Sequence, residues 1–143
     1  MAELKEEIKA FDTNILIYAF DIDEKEKHIK AKELFNSVCK GQFNGLLSIQ
    51  NLTELFYWFV KSKKVNIGIA EAIISDFIES KQWIIKELDI NRLKLAIALT
   101  KQNKLPFWDA LICANAILEG AKEIYTENVS DFKTDLIEAI NPF

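Results

Sequence analysis

The chain is poor in the residues that most metal and covalent chemistry relies on. Among 143 residues histidine occurs once, at His28, and cysteine twice, at Cys39 and Cys113. One histidine argues against a His-based metal site and leaves a Ser-His-Asp triad little to work with. Two cysteines, both in apolar helical patterns, do not make a disulfide scaffold or a zinc site. They are expected to be small buried thiols in a reducing compartment, and His28, set among Lys25, Lys27 and Lys30, a solvated surface residue. With four glycines and two prolines the chain has neither a collagen-like nor a low-complexity composition, and half of its residues are apolar, which excludes disorder. No uninterrupted apolar run exceeds six residues (Ile15 to Phe20). A membrane span needs about 20 and a signal-peptide core about 7–15. The mixed-charge opening, Met1-Ala2-Glu3-Leu4-Lys5-Glu6-Glu7, also argues against export, so a cytoplasmic protein without membrane partners is expected. Arg92 is the only arginine among 18 basic residues, so bidentate arginine clamps on phosphate or guanine are scarce. Catalysis would have to run on carboxylates, hydroxyls, amides or lysines.

What is present is an alternation of short apolar runs and longer helical patterns, without internal repeats or a linker. Ile8 to Phe11 reads as a strand, Asn14 to Phe20 as a helix, and residues 25–39 as a helix with Ala31, Leu34, Phe35 and Val38 on one face. Gly45-Leu46-Leu47 reads as a strand, followed by Ser48 as a helix cap. Helices are expected over 49–61 and 67–79, then a strand at Trp83-Ile84-Ile85. Asp89 would cap a helix to about Gln102, with Asn103 as a left-handed stop. Pro106 suits the first turn of the next helix, which ends at Gly120. Glu123 to Thr126 is a further strand and Ile137 to Ile140 a weaker one. This order predicts a single α/β domain over 1–143, with a parallel sheet of four or five short strands flanked by helices. In such sheets ligands bind outside the carboxyl ends of the strands, where Asp12 and Thr126 fall.

Four acidic neighbourhoods stand out. Asp12 ends the first strand; it either caps the next helix or belongs to a site, held by Thr13 and Asn14. Glu54 lies opposite the Leu52, Leu55, Phe56, Phe59 and Val60 face, flanked by Tyr57 and Trp58. A helix apolar nearly all round is expected to be buried, and a carboxylate there needs a cationic partner, a proton or a metal. Asp109, in Pro106-Phe107-Trp108-Asp109-Ala110-Leu111-Ile112, is either a partner of its helix dipole or a site residue. Asp131 lies in the polar segment 125–132 that leaves a strand end, alternatively a simple turn. Lys61, Lys63 and Lys64 either track a nucleic-acid backbone or cap a helix end with positive charge.

Acids gathered at one rim suit Mg²⁺ or Mn²⁺, hard cations that take oxygen ligands and need no His or Cys. Two such ions can bind a phosphodiester, activate water and stabilise the leaving oxygen. The net charge of −4 would argue against a nucleic-acid partner. Setting aside Asp12, Glu54, Asp109 and Asp131, however, leaves as many acids as bases, 18 of each.

In Asp12-Thr13-Asn14 with Ile15-Leu16-Ile17-Tyr18-Ala19, Ser48-Ile49-Gln50 with Glu54, Phe107-Trp108-Asp109-Ala110-Leu111-Ile112, and Tyr125-Thr126-Glu127-Asn128, the chain resembles the PIN-domain ribonucleases over nearly its whole length. It is most similar to the VapC-like toxins of prokaryotic toxin–antitoxin pairs. The resemblance implies Mg²⁺- or Mn²⁺-dependent endoribonuclease activity on an RNA substrate, with Asp12, Glu54 and Asp109 as acidic metal ligands. Asn14 then orients, and Thr126 supplies a hydroxyl at the fourth position. Similar members carry Asp where Asn128 stands; others carry Asn with a nearby Asp, here Asp131. A homodimer and a small antitoxin covering the acidic cleft are also implied. Two other readings compete. A catalytically weak PIN-like module that binds RNA or protein is favoured by Asn128. A haloacid-dehalogenase-type phosphotransferase needs a second Asp two residues after the first, and Asn14 occupies that position.

Overall fold

In the computed structural model, which describes residues 7–143, each short apolar run becomes one strand of a parallel sheet. The strands are β1 (Ile8–Phe11), β2 (Asn44–Ser48), β3 (Trp83–Lys86), β4 (Glu123–Tyr125) and β5 (Glu138–Ile140). The helices are α1 (Thr13–Phe20), α2 (Glu26–Cys39), α3 (Ile49–Lys61), α4 (Ile67–Glu79), α5 (Ile90–Asn103) and α6 (Phe107–Leu118), with short 3-10 turns at Ile22–Glu24 and Val129–Phe132. Most of the mixed-charge opening segment lies outside the described residues.

Alternation along the strands divides the core into two layers, because successive side chains point to opposite faces. Ala10, Leu46 and Ile124 face a cluster built on α5 and α6, with Ala96, Leu99, Leu111 and Ala114. Their neighbours Phe11, Leu47 and Tyr125 face the α1–α4 side, packed with Ile15, Leu55, Phe59, Phe77 and Trp83. Both faces of the sheet are thus covered, as parallel sheets require.

The strand order is β3-β2-β1-β4-β5, all neighbours parallel. From β1 the chain moves outward through β2 to β3, then returns to the other side of β1 with β4 and β5. The direction of winding therefore reverses between β1 and β4, and the carboxyl ends of those two strands flank the resulting crevice. Asp12 follows one and Thr126 the other.

Several local expectations are corrected. Cys39, at the end of α2, is exposed, whereas Cys113 is buried within α6; amphipathic spacing identified the helix but not its open last turn. His28 is half-buried, with Nδ1 2.9 Å from the Tyr18 carbonyl oxygen. The left-handed residue after α5 is Lys104 (φ 57°), and Asn103 closes the helix itself. Pro106 is the residue before the first turn of α6, with extended backbone, rather than part of that turn.

Candidate active site

Asp12 leaves β1 with its backbone N–H on the Tyr125 carbonyl (2.9 Å), so the end of β4 fixes its position. Its side chain does not cap α1. The carboxylate instead accepts a hydrogen bond from the Thr126 hydroxyl (Oγ1 to Oδ2, 2.9 Å), across the β1–β4 crevice. Thr126 is fully buried, and its Oγ1 in turn accepts the Asn128 N–H (3.0 Å), which shapes the start of the following loop.

Glu54 is brought to the same rim by the start of α3. Ser48 and Asn51 form a reciprocal capping box, with the Ser48 N–H on Asn51 Oδ1 (2.9 Å) and the Asn51 N–H on Ser48 Oγ (3.3 Å). Asn51 then donates from Nδ2 to Thr13 Oγ1 (2.8 Å), tying α3 to the residue after Asp12. This buried bond sets the spacing between Asp12 and Glu54. Reading the sequence found the Ser48 cap but missed Asn51; a polar residue three positions after a capping serine was the available signal.

The expectation that α3 is buried all round is corrected. One face, Leu52, Leu55 and Phe59, is buried, whereas Glu54 and Tyr57 are exposed. Glu54 accepts a hydrogen bond from Gln50 one turn earlier (3.0 Å). Exposure, rather than burial, is what makes it available to a ligand.

Asp109 sits in the first turn of α6, half-buried. Its carboxyl is pushed up to about 6, first by burial and then by the charges of Asp12, Asp131 and Glu54. These effects outweigh the helix dipole, which favours the ionised form. Asp12 is raised as well, again chiefly by burial; hydrogen bonds from Thr126 and from the Thr13 N–H oppose the shift, while Glu54 and Asp131 add to it. Asp12 and Asp109 thus lie within the fields of Glu54 and Asp131. Among the described residues none of them forms an ion pair with a lysine or arginine.

Neighbouring polar residues divide between structural roles and the rim. Glu127 is engaged by Lys27 and by the Tyr18 hydroxyl (2.6 Å), which hold its carboxyl below the ordinary range. Asn14 and Asn128 are exposed on the rim, and Asp131 is half-buried in the Val129–Phe132 turn. Lys63 pairs with Asp21 (2.9 Å) and Asp23 (2.7 Å), so it braces the end of α3 against the Ile22–Glu24 turn.

The donor set is all oxygen and carries excess negative charge. Among the described residues no group of three or more His, Cys, Asp or Glu side chains stands close enough together to enclose a metal ion. That openness fits a hard cation such as Mg²⁺, which keeps several waters and takes one or two carboxylates; it does not fit a closed structural zinc site.

Fold and rim together define a class: a doubly covered parallel sheet with unpaired acids at its switch point. A family model of the PIN domain matches residues 9–133, and the chain belongs to that family. Solved structures with a similar fold include a toxin–antitoxin complex from Klebsiella pneumoniae (TM-score 0.70, 23% identity, 94% of this chain and 98% of that one). Others are VapBC2 from Rickettsia felis bound to a promoter DNA fragment (0.66, 22%, 94% and 98%) and the sarcin–ricin loop cleaving toxin VapC20 from Mycobacterium tuberculosis (0.62, 16%, 90% and 92%). No curated protein sequence matches. Among the described residues no helix is long and apolar enough to cross a membrane.

Proposed function

We propose that this chain is a VapC-like toxin, a Mg²⁺- or Mn²⁺-dependent endoribonuclease acting as one PIN domain over 1–143. The observation that carries the reading is the convergence of Asp12, Glu54, Asp109 and Asp131 on one rim without a cationic partner among the described residues. Burial, with the neighbouring carboxylates adding to it, raises the proton affinity of Asp12 and Asp109, and the same negative field favours an added cation. One or two of Asp12, Glu54 and Asp109 would contact the ion directly, and the others, with Asp131 from the loop after β4, would act through its water shell. A divalent ion there supplies Lewis acidity toward a phosphodiester oxygen and toward the attacking water.

The chain's own residues do the positioning. Thr126 fixes the plane of the Asp12 carboxylate through its hydroxyl. The Asn51–Thr13 bond holds α3, and so Glu54, at a set distance from Asp12. Asn14 and Asn128, exposed on the rim, orient substrate or water by neutral hydrogen bonds. An RNA substrate, a small antitoxin that covers the rim, a homodimer and a cytoplasmic location complete the reading. They rest on the PIN family and on the toxin–antitoxin assemblies that share the fold.

Asn128 supports a second reading, a PIN module that binds RNA without cutting, because a neutral amide adds no charge for a second ion. Bulk single-stranded RNA incubated with the protein separates the two. The nuclease reading expects degradation with Mn²⁺ or Mg²⁺, none with EDTA, and none from Asp12→Asn while the variant stays folded. Intact RNA under all conditions favours the binding module, and full activity in Asp12→Asn refutes the assignment of Asp12.

A further inference from the structure

Beside the acidic rim lies a cavity of about 510 Å³, with Glu54 in its wall and Trp108, the neighbour of Asp109, at its mouth. Its remaining surface is largely apolar, including Ile49, Leu88 and Leu111. Trp108 is 66% exposed, unusual for an indole that nothing in the fold requires to be open.

The floor carries a second observation. Asn115 is 4% exposed, and its Oδ1 accepts a hydrogen bond from Arg92 Nε (2.8 Å). Arg92 is itself held by Asp89 (2.6 Å) and Glu119. A guanidinium only donates, so the amide must turn its oxygen to Arg92 and its nitrogen away. Among the described residues Nδ2 then has no partner, although Asn115 lines the cavity. It is not an enclosed orphan either: among the described residues the fully enclosed unpartnered side-chain atoms are Trp83 Nε1 and Thr100 Oγ1. Nδ2 is therefore an unused donor that is not sealed off, on a residue that lines the cavity.

We propose that this cavity receives a nucleobase of the RNA strand next to the cleaved phosphate, with Trp108 stacking on the base and Asn115 Nδ2 donating to a ring carbonyl. The inference rests on the ribonuclease reading for its substrate class. A base is the occupant that meets each feature at once. It offers a flat π-face to an exposed indole, as in other single-strand sites, and its edge carries an acceptor for the amide. An apolar side chain from a protein partner would cover the same walls but leave the Asn115 donor unpaired. Because Glu54 belongs to both the cavity and the rim, a base seated here places its own phosphodiester beside the acids.

Uncharged nucleosides test the cavity without metal or phosphate. In ¹⁵N-labelled protein, uridine and cytidine should shift the Trp108 indole N–H and the Asn115 side-chain NH₂ signals together and saturably, whereas ribose should not. Trp108→Ala should weaken uridine binding about tenfold, and Trp108→Phe should restore most of it. Asn115→Asp keeps an acceptor for Arg92 but removes the donor, and should weaken uridine several-fold with the melting temperature near wild type. Uridine that shifts neither signal, ribose that shifts both, or Trp108→Ala that binds like wild type overturns the proposal. If a cationic, leucine-rich peptide shifts these signals where uridine does not, the cavity belongs to a protein partner instead. Uridine binding by a protein that leaves RNA intact with Mn²⁺ retains the pocket and removes the nuclease reading; cleavage with the cavity unoccupied by uridine does the reverse.

Discussion

Asp109 holds its proton more tightly in the folded chain than in the unfolded one, since its carboxyl moves from 3.8 up to about 6. Ionised, it therefore opposes folding. That penalty is absent below about pH 4, grows as pH rises toward 6, and is complete above it. Asp109→Asn should accordingly stabilise the protein at pH 8 in EDTA by about 1 kcal/mol once partial solvation is allowed for, read as a higher melting temperature. The gain should vanish near pH 4; a gain independent of pH would contradict the repulsion argument. Asn128 and Asp131 are separable at the same scale. Asn128→Asp should lower the Mn²⁺ concentration for half-maximal cleavage, and Asp131→Asn should raise it. The double variant should recover most of the loss, because two groups serving one ion do not act additively. Wild-type Mn²⁺ dependence in Asp131→Asn would reduce Asp131 to a turn residue. The sequence was sufficient to nominate these acids: Asp12 and Asp131 follow strands, Asp109 opens a helix, and Glu54 interrupts a helix that is otherwise nearly apolar. It could not show whether Glu54 was covered: a helical wheel gives a face, and only the packed neighbours determine what lies over it.

At the scale of elements, the helices and strands were legible from hydrophobic periodicity, and the differences lie at their ends. Local preference placed the left-handed stop at Asn103, whereas the backbone turns one residue later at Lys104. A close approach between elements was not legible at all. Gly45 in β2 lies under the indole of Trp83 in β3, where an added Cβ would meet the ring at 2.3 Å. Trp83 is itself packed against Phe11, Phe35 and Phe77, with ring centroids 5.1, 5.6 and 5.2 Å away, so moving it would disturb those contacts. Gly45→Ala should destabilise the protein by about 1–3 kcal/mol through overpacking, read as a lower denaturation midpoint. An unchanged midpoint would mean that β2 and β3 separate at little cost. Cross-strand packing of this kind depends on register, which the sequence reading left unassigned.

For the whole molecule, strand order determines function more than composition does. The net charge is −4, yet four acids at the β1–β4 switch account for that excess. The order itself, with β1 central, was not derivable from the alternation of elements, although the expectation of a site at the strand ends was. If the rim is a divalent-cation site, native-state binding must stabilise the fold by linkage, and Mn²⁺ should do so at least as well as Mg²⁺. The most direct measurement is thermal unfolding of the wild type and Asp12→Asn, each titrated with Mn²⁺ to millimolar concentration. The account predicts a concentration-dependent rise in Tm for the wild type, little or none for Asp12→Asn, and a Tm of Asp12→Asn in EDTA that equals or exceeds the wild type's. A wild-type Tm that Mn²⁺ leaves unchanged, or an equal rise in both proteins, would contradict it.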